Sequence, residues 1–242
     1  MASPVDSARQ GTNITTAGTT HNINVGSPAA GTLLIVFLRF AAAPGAYTFS
    51  GYFAVVADDS SDASDDTTGI AYKWADGTEG ATDTLTTTNS IKMCAICWEI
   101  TGAENPLTQA PEGSAVAVGT TTANTANPNI VTPTGGSKDY LFLAMAAQDG
   151  EVGSYTAAPT GYSNLITANS GTGGAAATNC YMGGASRQLT AASENPGNFT
   201  HGAATNGWTA YTVAIHPATG EVHLFFGPRL AYRQTVMRAA NW

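Results

Sequence analysis

Two continuous apolar runs are the clearest feature in the hydrophobic pattern of this chain. Residues Leu33–Leu38 and Leu141–Ala146 contain only apolar side chains. Runs of this length are typical of strands that are buried on both faces of a sheet. Both segments are therefore predicted to be central strands that seed the hydrophobic core.

A third segment, Trp208–Ile215, alternates more between different side-chain types than the two continuous apolar runs do. Successive side chains of a strand point to opposite faces, so Trp208 and Tyr211 are predicted to lie on opposite faces of the sheet. Pro217 is expected to end this strand, because proline has no N–H to donate to a neighbouring strand.

Shorter strand-like segments recur along the chain, bounded by Gly, Pro, Asn and Asp. This spacing is typical of a sandwich or a jelly roll, and almost no helix is predicted inside the domain. The predicted fold class is all-β, a jelly-roll-like antiparallel β-sandwich with a short C-terminal strand or helix appendage. The predicted strands are Ile14–Thr16, Ile23–Val25, Thr32–Phe40, Gly51–Val56, Ile70–Trp74, Ile91–Ile100, Ala115–Val118, Tyr140–Ala146, Tyr162–Thr167, Asn179–Leu189 and Trp208–Ile215.

The chain of 242 residues is long enough for one large β-domain with terminal appendages. The β-sandwich is predicted to span residues 21–217. Residues 1–20 are polar and rich in threonine, and the sequence leaves open whether they form an arm or an edge strand. Residues 218–242 are predicted to form a C-terminal docking tail.

The tail differs in composition from the sandwich, since residues 220–242 hold three of the six arginines together with several aromatic side chains. Arginine and aromatic side chains dominate the energetics of protein interfaces, so the tail is predicted to dock on a partner or a neighbouring subunit. The alternative is that it packs on its own sandwich. The predicted contact residues are Phe225, Phe226, Arg229, Tyr232, Arg233, Arg238 and Trp242.

The charge balance of the chain is acidic, with nine Lys and Arg, a net charge of −8 and a pI near 4.7. Nucleic-acid binding needs a basic stripe, so no nucleic-acid partner is predicted. An acidic surface suits docking onto a basic or polar protein surface. The apolar run Leu33–Ala43 is interrupted by Arg39 and is too short to span a bilayer, so no membrane partner is predicted.

Three cysteines are an odd number, which is poor support for a disulfide framework, and reduced thiols are expected. Cys94 and Cys97 form a CxxC pattern inside the predicted strand Ile91–Ile100. Residues three apart in a strand point to opposite faces, so this pair is expected to pack in the core rather than to bind zinc or carry out redox chemistry.

Candidate catalytic residues are few, because His21, His201, His216 and His223 are the only histidines and none lies in a recognisable motif. No catalytic residue and no cofactor are predicted, and the chain is expected not to be an enzyme. A hydrolase is a disfavoured alternative, because the acidic and basic residues form no constellation.

The acidic segment Asp58–Asp66 is the one concentrated charge feature of the chain. Carboxylate oxygens of this kind can hold Ca²⁺, which makes Asp58, Asp62 and Asp66 a weak cation candidate, although a self-repelling surface loop is the favoured interpretation. Aromatic faces also stack on sugar rings, and Trp74 beside this loop is the candidate for a glycan platform.

Strand and turn motifs occur in four segments, Thr32–Phe37, Cys97–Ala103, Ser193–Thr200 and Trp208–Pro217. Together these segments resemble a group of tailed-bacteriophage virion proteins that have jelly-roll-like β-sandwich domains. The resemblance spans about residues 13–217. It implies a structural role and transfers no catalytic residue to this chain.

The function expected from this resemblance is that of a non-enzymatic virion structural protein of a bacteriophage, assembled in the host cytoplasm. The leading hypothesis is a capsid decoration or cement protein that binds the major capsid protein or other virion proteins. It is expected to act as a homo-oligomer, with a trimer favoured, because several symmetry-related copies of a weak interface together bind the shell tightly. The alternative is a receptor- or glycan-binding module of a tail fibre or baseplate, with a host glycan as partner.

Overall fold

The computed structural model describes residues 2–59, 67–119, 125–150, 154–172, 179–202 and 207–219, apart from the side chains of residues 56–59. The described residues form strands and loops, with no helix among them, so the predicted all-β class is confirmed. The strands are β1 (Val5–Asn24), β2 (Leu33–Phe40), β3 (Tyr47–Phe49), β4 (Phe53–Asp59), β5 (Thr68–Trp74), β6 (Thr82–Thr101), β7 (Glu112–Gly113), β8 (Ala117–Gly119), β9 (Lys138–Asp149), β10 (Tyr155–Ala157), β11 (Ser163–Asn169), β12 (Cys180–Ala191), β13 (Thr200–His201) and β14 (Trp208–Ile215).

The strands form two antiparallel sheets that pack face to face. Sheet 1 has the order β1-β6-β2-β5-β4, with β3 also paired to β6. Sheet 2 has the order β11-β12-β9-β14-β7, with β8 also paired to β14. The short strands β10 and β13 form a small pair of their own. The predicted antiparallel sandwich is therefore confirmed.

The connectivity of the two sheets differs from that of a typical jelly roll. Sheet 1 uses strands from residues 5–101, and sheet 2 uses strands from residues 112–215. A jelly roll is built from two Greek keys, whose connections pass repeatedly between its two sheets. Here the chain completes one sheet before it begins the other, so the jelly-roll part of the fold prediction is not confirmed.

The two apolar runs occupy central positions, as predicted. Strand β2 lies between β6 and β5, and β9 lies between β12 and β14. All eight side chains of β2 are buried, including that of Arg39. Along β2, Leu33, Ile35 and Phe37 face sheet 2. The residues between them, Leu34, Val36 and Leu38, belong to a cluster on the outer face of sheet 1.

That outer cluster is covered by the far ends of β1 and β6. These two strands pair from Val5–Thr101 to Asn24–Thr82, with one register shift between Asp6 and Ala8 and two more between Ile14 and Thr20. Beyond Thr20, Ile23 of β1 and Leu85 of β6 pack in the same cluster as Leu34 and Val36 of β2. The irregular register lets one long ribbon contribute to the sheet and also cover its outer face.

The N-terminal segment is a strand for most of its length. Short strands were predicted only at Ile14–Thr16 and Ile23–Val25, but β1 has 20 residues and lies at the edge of sheet 1. Only Thr12, His21 and Ile23 of this strand are buried. A strand with so few buried positions has no hydrophobic pattern from which its length could be predicted.

The glycines at the middle of β12 let aromatic rings approach the backbone from both sides. A Cβ at Gly184 would overlap the ring of Trp98, which is fully buried between the sheets. A Cβ at Gly183 would lie 2.7 Å from the ring of Tyr155 on the outer side of sheet 2. Sheet 2 can sit close to both rings only because these two positions have no side chain.

We predict that Gly184→Ala lowers the free energy of unfolding by about 1–3 kcal/mol, because the new methyl group overpacks the interface with Trp98. Urea unfolding followed by fluorescence measures the change. The matched control is Gly80→Ala at an exposed position, where the nearest atom to a new Cβ lies 3.9 Å away. Equal stability of the Gly184→Ala variant and the original chain would contradict this account of the packing.

Candidate functional site

A cleft at the edge of the sandwich combines aromatic and charged side chains. It has a volume of about 290 Å³ and lies where β4 and β5 face residues 105–107, which follow β6. Two other clefts of similar volume lack this combination. One is lined by small residues with Ile91 and Lys92, and the other has aromatic rings but no charged side chain. The lining residues used below are Phe53, Tyr72, Trp74, Asp76, Glu79 and Leu107.

Three aromatic rings form one wall of the cleft. Phe53 and Tyr72 are opposite each other in the β4–β5 register, and their rings stack with centroids 5.6 Å apart and an interplanar angle of 28°. Trp74 follows Tyr72 by two residues and therefore lies on the same face of β5. The side chain of Phe53 is 63% exposed, which is unusual for a ring of this size.

The rings are held in place by the core behind them. Tyr72 and Trp74 are both half-buried and pack against the cluster between the two sheets. Each ring thus has one side on the core and another toward the cleft. A surface supported in this way loses little conformational freedom when a ligand binds.

A turn that carries two carboxylates borders the aromatic wall. The Glu79 carboxylate accepts hydrogen bonds from the backbone N–H groups of Asp76, at 3.2 Å, and Gly77, at 2.9 Å. The Asp76 carboxylate accepts from the backbone N–H of Thr78 at 2.8 Å. Gly77 has φ of 86°, a conformation that glycine adopts without strain. These contacts fix the positions of both carboxylates.

An ion network behind the turn connects it to β5 and β6. Lys73 Nζ lies 3.3 Å from Glu79 Oε1 and 3.0 Å from Asp83 Oδ2. The hydroxyl of Tyr52 donates to Asp83 at 3.0 Å. Burial lowers the pKa of Lys73, but the hydrogen bonds to Asp83 and Glu79 outweigh this effect and the pKa lies above its ordinary value.

The opposite wall is formed by the segment that joins the two sheets. Asn105 Oδ1 accepts a hydrogen bond from the backbone N–H of Leu107 at 2.9 Å, which shapes a tight turn. Leu107 is 95% exposed at its tip. An apolar side chain therefore faces solvent on each side of the cleft, Leu107 on one and Phe53 on the other.

The sequence prediction located this site only in part. Trp74, the predicted glycan platform, lines the cleft. Its predicted neighbour, the acidic segment, is largely outside the described residues: Asp62 and Asp66 are not described, and the side chain of Asp58 is not described either. The carboxylates beside the rings are those of Asp76 and Glu79, for which an Asp-Gly turn directly after a strand was the available signal.

Other residues singled out from the sequence lie elsewhere. His21, His201 and His216 are buried, each with its own partners, and His223 is outside the described residues. The predicted tail contacts Phe225, Phe226, Arg229, Tyr232, Arg233, Arg238 and Trp242 are also outside the described residues.

The prediction that Cys94 and Cys97 point to opposite faces is confirmed. Cys94 belongs to the cluster between the sheets, and Cys97 belongs to the outer cluster of sheet 1. Trp98, the residue after Cys97, is fully buried between the sheets.

Comparison with models of protein families, with curated proteins and with solved structures finds no match to this chain. Among the described residues, no group of three or more His, Cys, Asp or Glu side chains is arranged to hold a metal ion. The same part of the chain contains no helix that is long and apolar enough to cross a membrane. The geometry of the aromatic cleft is the observation from which a function is inferred.

We predict that Glu79→Gln lowers the melting temperature at pH 7 and that the difference from the original chain shrinks as the pH falls below about 4.3. Burial raises the pKa of Glu79, but the backbone hydrogen bonds and Lys73 outweigh it and hold the pKa below its ordinary value. A carboxylate with a depressed pKa stabilises the fold above its unfolded pKa, and this stabilisation is lost as the pH falls through the folded pKa.

Thermal unfolding of both proteins between pH 7 and pH 3 tests this prediction. A constant difference in melting temperature over the whole range would show that the charge of Glu79 does not stabilise the turn.

Proposed function

We propose that this protein is a non-enzymatic virion structural protein of a tailed bacteriophage that binds a carbohydrate of the host surface through the aromatic cleft. The observation that carries this proposal is the exposed ring of Phe53, stacked on the half-buried Tyr72, beside Trp74 and two ordered carboxylates. The phage assignment comes from the sequence resemblance, and the carbohydrate from the chemistry of the cleft.

Aromatic rings and carboxylates are complementary to different parts of a sugar. One face of a pyranose ring carries mainly C–H groups, which stack on the face of an aromatic side chain, and the hydroxyl groups at its rim donate hydrogen bonds to carboxylates. Phe53 and Trp74 offer the stacking surface, and Asp76 is the exposed acceptor at the rim. A solvent-exposed apolar surface beside fixed polar groups is typical of a binding site.

The cleft also suits repeated weak binding rather than burial of a large ligand. Its volume of about 290 Å³ is at the lower end of the range for ligand pockets, which suits a short stretch of a polysaccharide. Host-surface polysaccharides repeat the same unit many times, so several copies of the protein on one particle bind the polymer with high avidity. A shallow site of modest affinity is therefore sufficient for attachment.

We predict that Phe53→Ala and Trp74→Ala each weaken polysaccharide binding roughly two- to twelvefold, the loss expected from about 0.5–1.5 kcal/mol of aromatic stacking. An array of bacterial surface polysaccharides identifies the bound polymer, and isothermal titration with that polymer gives Kd.

The matched control is Ile130→Ala, which removes another exposed apolar side chain, 54% exposed, that is not among the cleft residues. Circular dichroism verifies that Trp74→Ala retains the fold. Absence of binding to every polysaccharide, or equal Kd values for the cleft and control variants, would refute the proposal.

A capsid decoration protein is the second candidate, and the attachment of the C-terminal segment favours it. Pro217 forms a bridge with Ala103, and Ala218 forms one with Ala2. The backbone N–H of Thr219 donates to Glu104 at 2.6 Å. These contacts hold residues 217–219, at the start of the predicted tail, against Ala2, Ala103 and Glu104.

We predict that a chain ending at Thr219 keeps the sandwich folded but no longer binds capsids, because it retains the contact with Glu104 and lacks the tail. Quantitative mass spectrometry of particles incubated with each protein gives the number of copies bound. Hundreds of copies of the full chain per particle and few of the shortened chain support decoration. Equal binding of both chains would refute docking through the tail, and a failure of the full chain to bind would remove this candidate; neither result bears on polysaccharide binding.

A further inference from the structure

Two of the three cysteines meet in the interior of the sandwich. Cys94 lies on β6 of sheet 1, and Cys180 is the first residue of β12 of sheet 2. Their Sγ atoms are 3.5 Å apart, and both side chains are fully buried in the cluster between the sheets. The thiol of Cys94 is also only 3.8 Å from the backbone oxygen of Cys180, so the two strands approach each other closely here.

The third cysteine cannot take part in this pair. Cys97 lies on the opposite face of β6, in the outer cluster of sheet 1. The odd number of cysteines is therefore composed of one facing pair and one separate thiol. This division could not be read from the sequence, because the partner of Cys94 is 86 residues away and the nearer Cys97 points to the other face.

We propose that Cys94 and Cys180 form a disulfide that joins the two sheets when the chain folds under oxidising conditions. A disulfide has an S–S distance of about 2.05 Å, so the two sulfur atoms must approach by only about 1.5 Å through small side-chain and backbone adjustments. In a reducing cytosol both side chains stay as thiols, so the bond is expected only in chains that fold where an oxidant is present. This inference is independent of the carbohydrate cleft.

The reaction needs an oxidant, and a small-molecule disulfide such as oxidised glutathione is sufficient. The thiolate of one cysteine attacks a glutathione sulfur, which forms a mixed disulfide and releases one reduced glutathione. The second protein thiolate then attacks the protein sulfur of this intermediate and releases the second reduced glutathione. Two electrons pass from the protein to the oxidant, and the two thiol protons end on the released glutathione.

The bond is expected to form before the sheets close completely. Burial raises the pKa of Cys94 well above its ordinary value, so little Cys94 thiolate is present in the folded protein. Oxidant also has no direct access to side chains that are fully buried. Once formed, the bond restricts the unfolded chain by joining residues that are 86 positions apart, and it therefore raises the unfolding temperature.

The test is to refold the full chain in a mixture of reduced and oxidised glutathione and to count free thiols in denaturant. The expected count is one, against three for the chain refolded with dithiothreitol. Peptide mapping by mass spectrometry is expected to identify a Cys94–Cys180 cross-link. The oxidised protein is expected to unfold at a higher temperature than the reduced protein.

Cys97→Ala is the matched control, and it is expected to give no free thiol and the same cross-link. Cys180→Ala is expected to keep two free thiols and to show no response of its melting temperature to oxidant. If that variant does not fold, the mapping of the original chain still decides the question. Three free thiols, glutathione adducts without a cross-link, or a cross-link that includes Cys97 would each overturn the proposal.

Discussion

The close packing of the two sheets is the interaction on which the rest of this structure depends. Each sheet is formed by one half of the chain, so neither sheet has its inner face covered until the other is present. Trp98 fills the space between them and reaches the backbone of β12 at Gly184. The large ring of Trp98 on sheet 1 thus fits against a glycine on sheet 2, which allows the two sheets to pack densely.

The same packing creates the candidate site at the edge of the sandwich. Tyr72 and Trp74 are half in the core and half in the cleft, so their orientation is set by the interior rather than by a flexible loop. The segment that crosses from sheet 1 to sheet 2 supplies the opposite wall, including Leu107. A cleft at this location follows from a topology in which the chain crosses between the sheets beside an open edge.

The sequence predicted the strands correctly wherever buried positions produced a hydrophobic pattern. All eleven predicted segments overlap observed strands, and the apolar runs in β2 and β9 are central as predicted. The length of β1 could not be predicted, because a mostly exposed edge strand has no hydrophobic period. Of the three aromatic residues in the cleft, only Trp74 was predicted from the sequence. Its grouping with Phe53 and Glu79 depends on strand pairing and a turn, which a one-dimensional pattern does not contain.

The pairing of β1 with β6 also has a consequence for how the protein is made. Val5 pairs with Thr101 and Asn24 with Thr82, so β1 is synthesised well before β6, the strand with which it pairs. Contacts between residues so distant in sequence slow folding, and an unpaired strand is prone to associate with other chains in the meantime. The polar, threonine-rich composition of β1 disfavours such association, so a strand that adds little to the core has a role during biosynthesis.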